Sequence, residues 1–212
     1  IDLYEGLTIQ NCYKSGNVRV LNKAKYGITN AIRVGGTLIL CANGSVNIHG
    51  GKYINNMGGR VNAETNPDKH AVIGGMIYTP SALNIDGGVF QNNQGGQGGV
   101  IYGSGITRIT GGKFIGNSAD STGGVIYVGT YASSHLIIGE PGVGDGVLFE
   151  GNKSGSNGSC LYGLARSSMI IYGNTVFKDN VSASSGTINV YGQLAISDTQ
   201  FINNTSANRG GA

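Results

Sequence analysis

A pair of carboxylates facing one site is the arrangement most worth testing for in this chain. Four positions ahead of a recurring aromatic residue stand His49, Asp86, Thr110, Asp145, Gly173 and Ser197. If the segments that carry them stack, these residues form one column. Asp86 and Asp145 would then lie two layers apart, about 10 Å on the spacing of neighbouring strands. Two carboxylates about 5 to 9.5 Å apart can hydrolyse a glycosidic bond. Turn positions also select Asp and Ser for local hydrogen bonds, which accounts for the same column without catalysis. A polysaccharide lyase would need clustered acidic calcium ligands beside a basic residue, and the 11 carboxylates are dispersed.

Other reactive types give less. Gly142 to Phe149 resembles one unit of a calcium-binding nonapeptide array, but it occurs once and such sites need tandem neighbours. Gly51-Lys52-Tyr53 and Gly112-Lys113-Phe114 lack the Gly-Lys-Ser/Thr of a phosphate loop. His49, His70 and His135 fall in different parts of the sequence pattern and read as surface residues. Cys12, Cys41 and Cys160 are too far apart for a zinc pattern and odd in number for a disulfide framework, so they read as small buried hydrophobes. No metal and no cofactor is expected.

The elements that position these residues are repeats. Aromatic-x-x-Asn occurs at Tyr53 to Asn56, Phe90 to Asn93, Phe114 to Asn117, Phe149 to Asn152, Phe177 to Asn180 and Phe201 to Asn204. Gly-Gly-(apolar)-(apolar)-Tyr follows at Gly74 to Tyr78, Gly98 to Tyr102 and Gly123 to Tyr127, with Gly158 to Tyr162 as a variant. Upstream of Tyr53, Phe90, Phe177 and Phe201, apolar residues alternate seven and five positions ahead, as Val46 and Ile48, Leu83 and Ile85, Ile170 and Tyr172, and Leu194 and Ile196, and Thr107 and Ile109 do so for Phe114. Period-two alternation marks strands, so each repeat holds three short strands separated by turns.

The repeat length decides the architecture. Three strands and three turns fill the spacing between successive aromatics, and no helical periodicity interrupts them. The pattern predicts an all-β fold, a right-handed parallel β-helix with three short strands per coil. Its aromatics would stack inward, and its Asn residues would turn the chain in a left-handed conformation while bonding one another across coils. Residues 45–212 form these coils, with loops inserted at 57–73 and 131–147 and a truncated last repeat. Residues 1–44 fit only loosely, as divergent coils or a cap.

Composition excludes several classes. With 39 Gly but no every-third-residue Gly period the chain is not collagen-like, and 39% hydrophobic residues are too many for disorder. The net charge of +3 is spread thinly. Lys14, Arg19, Lys23, Lys25 and Arg33 form its nearest approach to a basic cluster, and no nucleic-acid partner is expected. No apolar run approaches the length that crosses a bilayer, so any membrane contact would come through regions outside this sequence.

Phe-x-x-Asn alternating with Gly-Gly-x-(Ile/Leu/Val), carried here by Phe90 to Asn93, Phe114 to Asn117, Phe149 to Asn152, Phe177 to Asn180, Phe201 to Asn204, Gly74 to Ile77, Gly98 to Ile101 and Gly123 to Ile126, resembles the repeats of the polymorphic outer membrane proteins of chlamydiae. The resemblance covers about residues 45–212. It implies an autotransporter passenger domain at the cell surface or outer membrane, or secreted. It further implies a non-enzymatic adhesin that meets a host-cell protein or glycan receptor.

Two alternatives stand beside that reading: a carbohydrate-active β-helix enzyme, and a fibre subunit that self-associates end to end. The binding candidates are Tyr78, Tyr102, Tyr127 and Tyr162, together with Arg60, Lys69 and His70 in the first inserted loop. If Ile77, Ile101, Ile126 and Leu161 point inward, the tyrosines form an exposed ladder suited to sugars or proteins. The copy at Gly186 to Tyr191 puts Asn189 in the isoleucine place and favours the opposite parity, with a buried tyrosine stack.

Overall fold

Short alternating segments broken every few residues by Gly, Asn or Ser leave no room for a long element. In the computed structural model the chain accordingly winds into a parallel β-helix of stacked short strands. The structure describes residues 2–10, 12, 19–20, 33–34, 39–40, 44–58, 75–129, 134–142 and 146–211. Arg60, Lys69, His70, Cys41 and Asp145 lie outside them.

Successive coils feed four parallel sheets. Sheet A stacks Asp2–Leu3, Ser45–Ile48, Ala82–Ile85, Ile106–Ile109, His135–Ile138, Ser168–Ile171 and Gln193–Ile196. Sheet B follows in each coil with Thr8–Gln10, Lys52–Ile54, Val89–Gln91, Lys113–Ile115, Leu148–Glu150, Thr175–Lys178 and Thr199–Ile202. Sheet C holds the two-residue strands that follow each Asn, from Gln94–Gly95 to Thr205–Ser206. Sheet D runs from Ile39–Leu40 through Ile77–Thr79, Ile101–Gly103, Ile126–Val128 and Leu161–Gly163 to Ile188–Val190. Sheets A, B and D are the three strands per coil that the spacing predicts. Sheet C is additional, because strands of two residues are too short to show alternation.

Within residues 1–44, Asp2–Leu3, Thr8–Gln10 and Ile39–Leu40 pair in parallel with the coils that follow, placing Ile9 opposite Tyr53. Arg19–Val20 and Arg33–Val34 pair with each other in antiparallel fashion.

The core is built in columns. Tyr53, Phe90, Phe114, Phe149 and Phe177 are fully buried. Successive rings, continuing to Phe201, lie nearly parallel with centroids 4.7 to 5.1 Å apart. The spacing equals that of hydrogen-bonded strands, so one ring per coil fills the interior without a gap.

Beside this stack runs a ladder of buried Asn side chains. The Asn117 Oδ1 accepts from the Asn93 N–H at 2.9 Å and from Asn93 Nδ2 at 3.0 Å. Asn117 Nδ2 donates to the Phe90 carbonyl at 2.8 Å and to Asn152 Oδ1 at 3.1 Å. The same bonds recur from Asn56 through Asn93, Asn152 and Asn180 to Asn204. At the first coil Cys12 takes the Asn place. It is exposed, and its N–H donates to Asn56 Oδ1 at 3.1 Å.

The left-handed residue is not this Asn but the one before it: Asn55, Asn92, Gly116, Gly151, Asp179 and Asn203 all have positive φ. The inward amide is needed for the ladder, so the residue that turns outward takes the left-handed conformation, where Asn, Asp and Gly are least strained.

Two further expectations need correction. Ile170 and Tyr172 do not face the core. Met169 and Ile171 do, because the corner between Ile171 and Phe177 is one residue longer than the corner between Ile109 and Phe114, and this reverses the parity. The segment 131–147 is also not one insertion, since His135–Ile138 within it is a regular strand of sheet A. Cys160 is fully buried at the position of Val100 and Val125, and burial pushes its thiol well up.

Removing one ladder amide strands several buried partners at once. Asn117→Ala is expected to cost about 3 kcal/mol or more by urea denaturation, since each buried group left unsatisfied costs about 1–3 kcal/mol. A Cβ on Gly124 would collide with the carbonyl oxygens of Ser159 and Lys153. Gly124→Val should therefore fail to accumulate as folded protein. A urea midpoint unchanged in Asn117→Ala would show that the ladder contributes nothing.

Candidate functional site

In sheet D the first strand residue points into the core and the second points away from it. Ile77, Ile101, Ile126 and Leu161 are completely buried in the main core. Tyr78, Tyr102 and Tyr127 form a separate cluster with Tyr162 and Leu164 packed against them. Their relative exposures are only 2%, 9% and 5%.

The tyrosines thus have the outward parity but are not an exposed ladder. Ring packs on ring at 5.6, 4.7 and 5.4 Å, and Tyr162 is half-buried at the end of the stack. In the last copy Leu161 pairs with Ile188 and Tyr162 with Asn189. Asn189 therefore occupies the tyrosine place, one residue from the register read in the sequence. Tyr191, 64% exposed, packs edge-on against Tyr162 at 5.9 Å.

Burial alone raises the Tyr53 phenol to about 12. Burial, followed by the neighbouring Tyr162, raises that of Tyr127 to about 12. The Tyr53 hydroxyl has no hydrogen-bond partner among the described residues.

With the tyrosines covered, an accessible concavity among the described residues lies elsewhere. A groove of about 1080 Å³ runs across successive coils at the corner between sheets A and B. Its floor is paired glycine: Gly50-Gly51, Gly87-Gly88 and Gly111-Gly112. Glycine is required here by close approach, because a Cβ on Gly87 would stand 2.8 Å from the His49 carbonyl oxygen of the preceding coil. Gly51, Gly88 and Gly112 also have φ of 92°, 100° and 108°.

The groove has two chemically different sides. At the ends of sheet A strands stand Glu5, Asp86 and Glu140, while Lys52 and Lys113 open the sheet B strands. Glu5, Glu140, Lys52 and Lys113 form no ion pair with another described residue. His49 Nδ1 lies 2.7 Å from Asp86 Oδ2, and the exposed Tyr4 ring stacks on His49 at 5.0 Å.

The column read as His49, Asp86, Thr110, Asp145, Gly173 and Ser197 is corrected by the strand register. Ile109 pairs with Ile138 and Ile138 with Ile171, so the true successors of Thr110 are Gly139 and Tyr172. The place read for Asp145 in that column is therefore held by Gly139. Among the described residues no group of three or more His, Cys, Asp or Glu could hold a metal ion. Glu5, Glu140, Lys52 and Lys113 are not among the binding candidates that the sequence offers. The signal of the two lysines is the recurrence of Gly-Lys at Gly51-Lys52 and Gly112-Lys113, which the sequence shows only as an incomplete phosphate loop and which makes sense as a groove wall only once coils stack.

The sequence profile of the Chlamydia polymorphic membrane protein repeat matches residues 112–129. These residues run from the second glycine of one groove corner, through the Phe114 and Asn117 columns, to the end of the Tyr127 strand. Comparison with curated proteins and with solved structures finds no match. Polymorphic membrane proteins are outer-membrane or surface proteins of Chlamydia and are not known as enzymes. No helix among the described residues is long and apolar enough to cross a membrane.

The buried phenols give the fold an alkaline limit. Their folded pKa of about 12 exceeds the usual value of about 10, so their contribution is complete below pH ~10 and is lost as pH rises through about 12. The melting temperature is expected to fall over that window. Tyr53→Phe, which supplies the residue found in the next coil, should weaken the fall and leave stability at neutral pH unchanged or higher. A flat melting temperature to pH 12 would contradict the assignment.

Proposed function

We propose that this repeat protein, similar in its coils to chlamydial polymorphic membrane proteins, is a non-enzymatic rod displayed at the microbial surface that attaches to host cells. The observation supporting this reading is that the residues matched by that repeat, 112–129, make one regular unit of a continuous stack: their Phe, Asn and Gly positions recur through the neighbouring coils. The motif residues are consumed in the core, the Asn ladder and the corners. What a rod of this kind offers a partner is therefore its outer surface, which extends by one strand spacing for every coil added.

Attachment is a multivalent property of such a surface and is measured best in that form. Beads coated with the purified protein are expected to adhere saturably to cultured animal cells, with soluble protein competing. Adhesion no greater than that of beads coated with the heat-unfolded protein would overturn the reading.

A further inference from the structure

We infer that the corner groove between sheets A and B is a binding site for a linear, uncharged glycan that lies along the rod axis and presents about one sugar ring to each coil. The inference rests on the reading of the rod as a recognition surface and supplies the ligand class.

Four observations on the groove converge. The groove crosses the strands rather than following them, and its volume of about 1080 Å³ is spread over several coils. That is the shape of a site for a polymer. A pyranose chain advances by about one ring per coil, on the roughly 4.8 Å spacing of stacked strands. The glycine floor has no side chains, so a ring can lie against the backbone.

The hydrogen-bonding groups are of both kinds. The carboxylates of Glu5, Asp86 and Glu140 accept only, whereas Lys52 and Lys113 donate only. The floor adds donors: no described residue accepts a hydrogen bond from the N–H groups of Gly87, Gly88, Gly111 or Gly112. A sugar hydroxyl donates and accepts, and so satisfies a carboxylate on one side and a lysine on the other, while Val89 and Leu148, which hold the lysine place in the alternate coils, meet the apolar face of a ring. A polyanion would oppose the three carboxylates, and a polycation the two lysines.

An extended peptide fits less well. Strand addition requires a free sheet edge. Here the strand-entry amides at the corner are already spent between coils, with Lys52 N–H on the Leu7 carbonyl, Val89 N–H on that of Gly51 and Lys113 N–H on that of Gly88. At the first coil the exposed Tyr4 ring stands beside Glu5, next to the His49 and Asp86 pair. An aromatic face with polar groups at its edge suits a sugar ring.

The test is calorimetric titration of the purified protein with β-1,4-linked glucose and N-acetylglucosamine oligosaccharides, from disaccharide to hexasaccharide, beside a heparin hexasaccharide. Affinity for the uncharged chains is expected to rise with length. The Asp86→Ala/Lys113→Ala double variant should lose about tenfold or more with its melting temperature retained. Glu150→Gln, outside the groove, should bind as the unaltered chain does. All these substitutions are at exposed or half-exposed positions, and melting curves separate a binding defect from a folding defect.

Three results would overturn the inference: no saturable binding of either hexasaccharide, tighter binding of the heparin fragment, or unchanged affinity in the double variant. Bead adhesion to cells that persists in any of these cases leaves the surface-attachment reading standing and rejects only the glycan groove. Loss of bead adhesion while glycan binding is retained does the reverse.

Discussion

The Asn ladder is the interaction on which the other features depend. In a solenoid of short strands the chain must turn after sheet B, and at that turn backbone groups face an interior without water. Each buried Asn solves the problem for two coils together. Its amide nitrogen holds the aromatic residue's carbonyl in the preceding coil, and its oxygen receives both the main-chain and side-chain N–H groups of the preceding Asn. A buried donor or acceptor left open costs more than its bond returns when made. The ladder therefore fixes the register of one coil on the next, and a slip by one residue would open every rung. The aromatic stack follows from that register: rings three residues ahead of the Asn are carried to a separation of 4.7 to 5.1 Å, close enough to pack and too close to admit anything else.

Legibility in the sequence follows the same division. Positions with one physical solution repeat in type, and the Phe, Asn and Gly columns could be read directly. Positions that depend on the length of a corner could not. One extra residue between Ile171 and Phe177 turned Ile170 and Tyr172 outward, and a one-residue choice at Gly186 displaced Asn189. Side-chain alternation has period two, so an error of a single residue inverts the inference at every position that follows. Cys12 illustrates the converse case: its side chain breaks the motif, yet its main-chain N–H still binds Asn56 Oδ1 and holds the first coil in register.

The tyrosines show why parity alone does not settle exposure. Their outward direction follows from the buried isoleucines before them, but they pack on one another and on Leu164, and the stack is covered. An aromatic residue recurring once per coil has its own kind above and below it at contact distance, so regular repetition itself favours burial of the ring faces. Recurrence is accordingly poor evidence that a residue binds a partner. Residues that vary from coil to coil around a uniform frame are the better candidates.

That contrast is sharpest at the corner between sheets A and B. Across Gly50-Gly51, Gly87-Gly88 and Gly111-Gly112 the floor is glycine because a Cβ on Gly87 or Gly88 would press on carbonyl oxygens of the preceding coil, so close stacking and a side-chain-free trough arise there from one constraint, while Glu5 and Glu140 take the same register place in the flanking coils. The neighbouring column is less uniform. Along the true register it reads His49, Asp86, Thr110, Gly139, Tyr172 and Ser197, a different residue at every coil, of which Asp86 and Thr110 line the groove. A β-helix built in this way holds its stability in the columns that repeat and leaves a groove whose depth is set by backbone packing and whose chemistry is set coil by coil. Lengthening such a rod extends the site along with the scaffold, which suits a polymeric ligand better than a compact one.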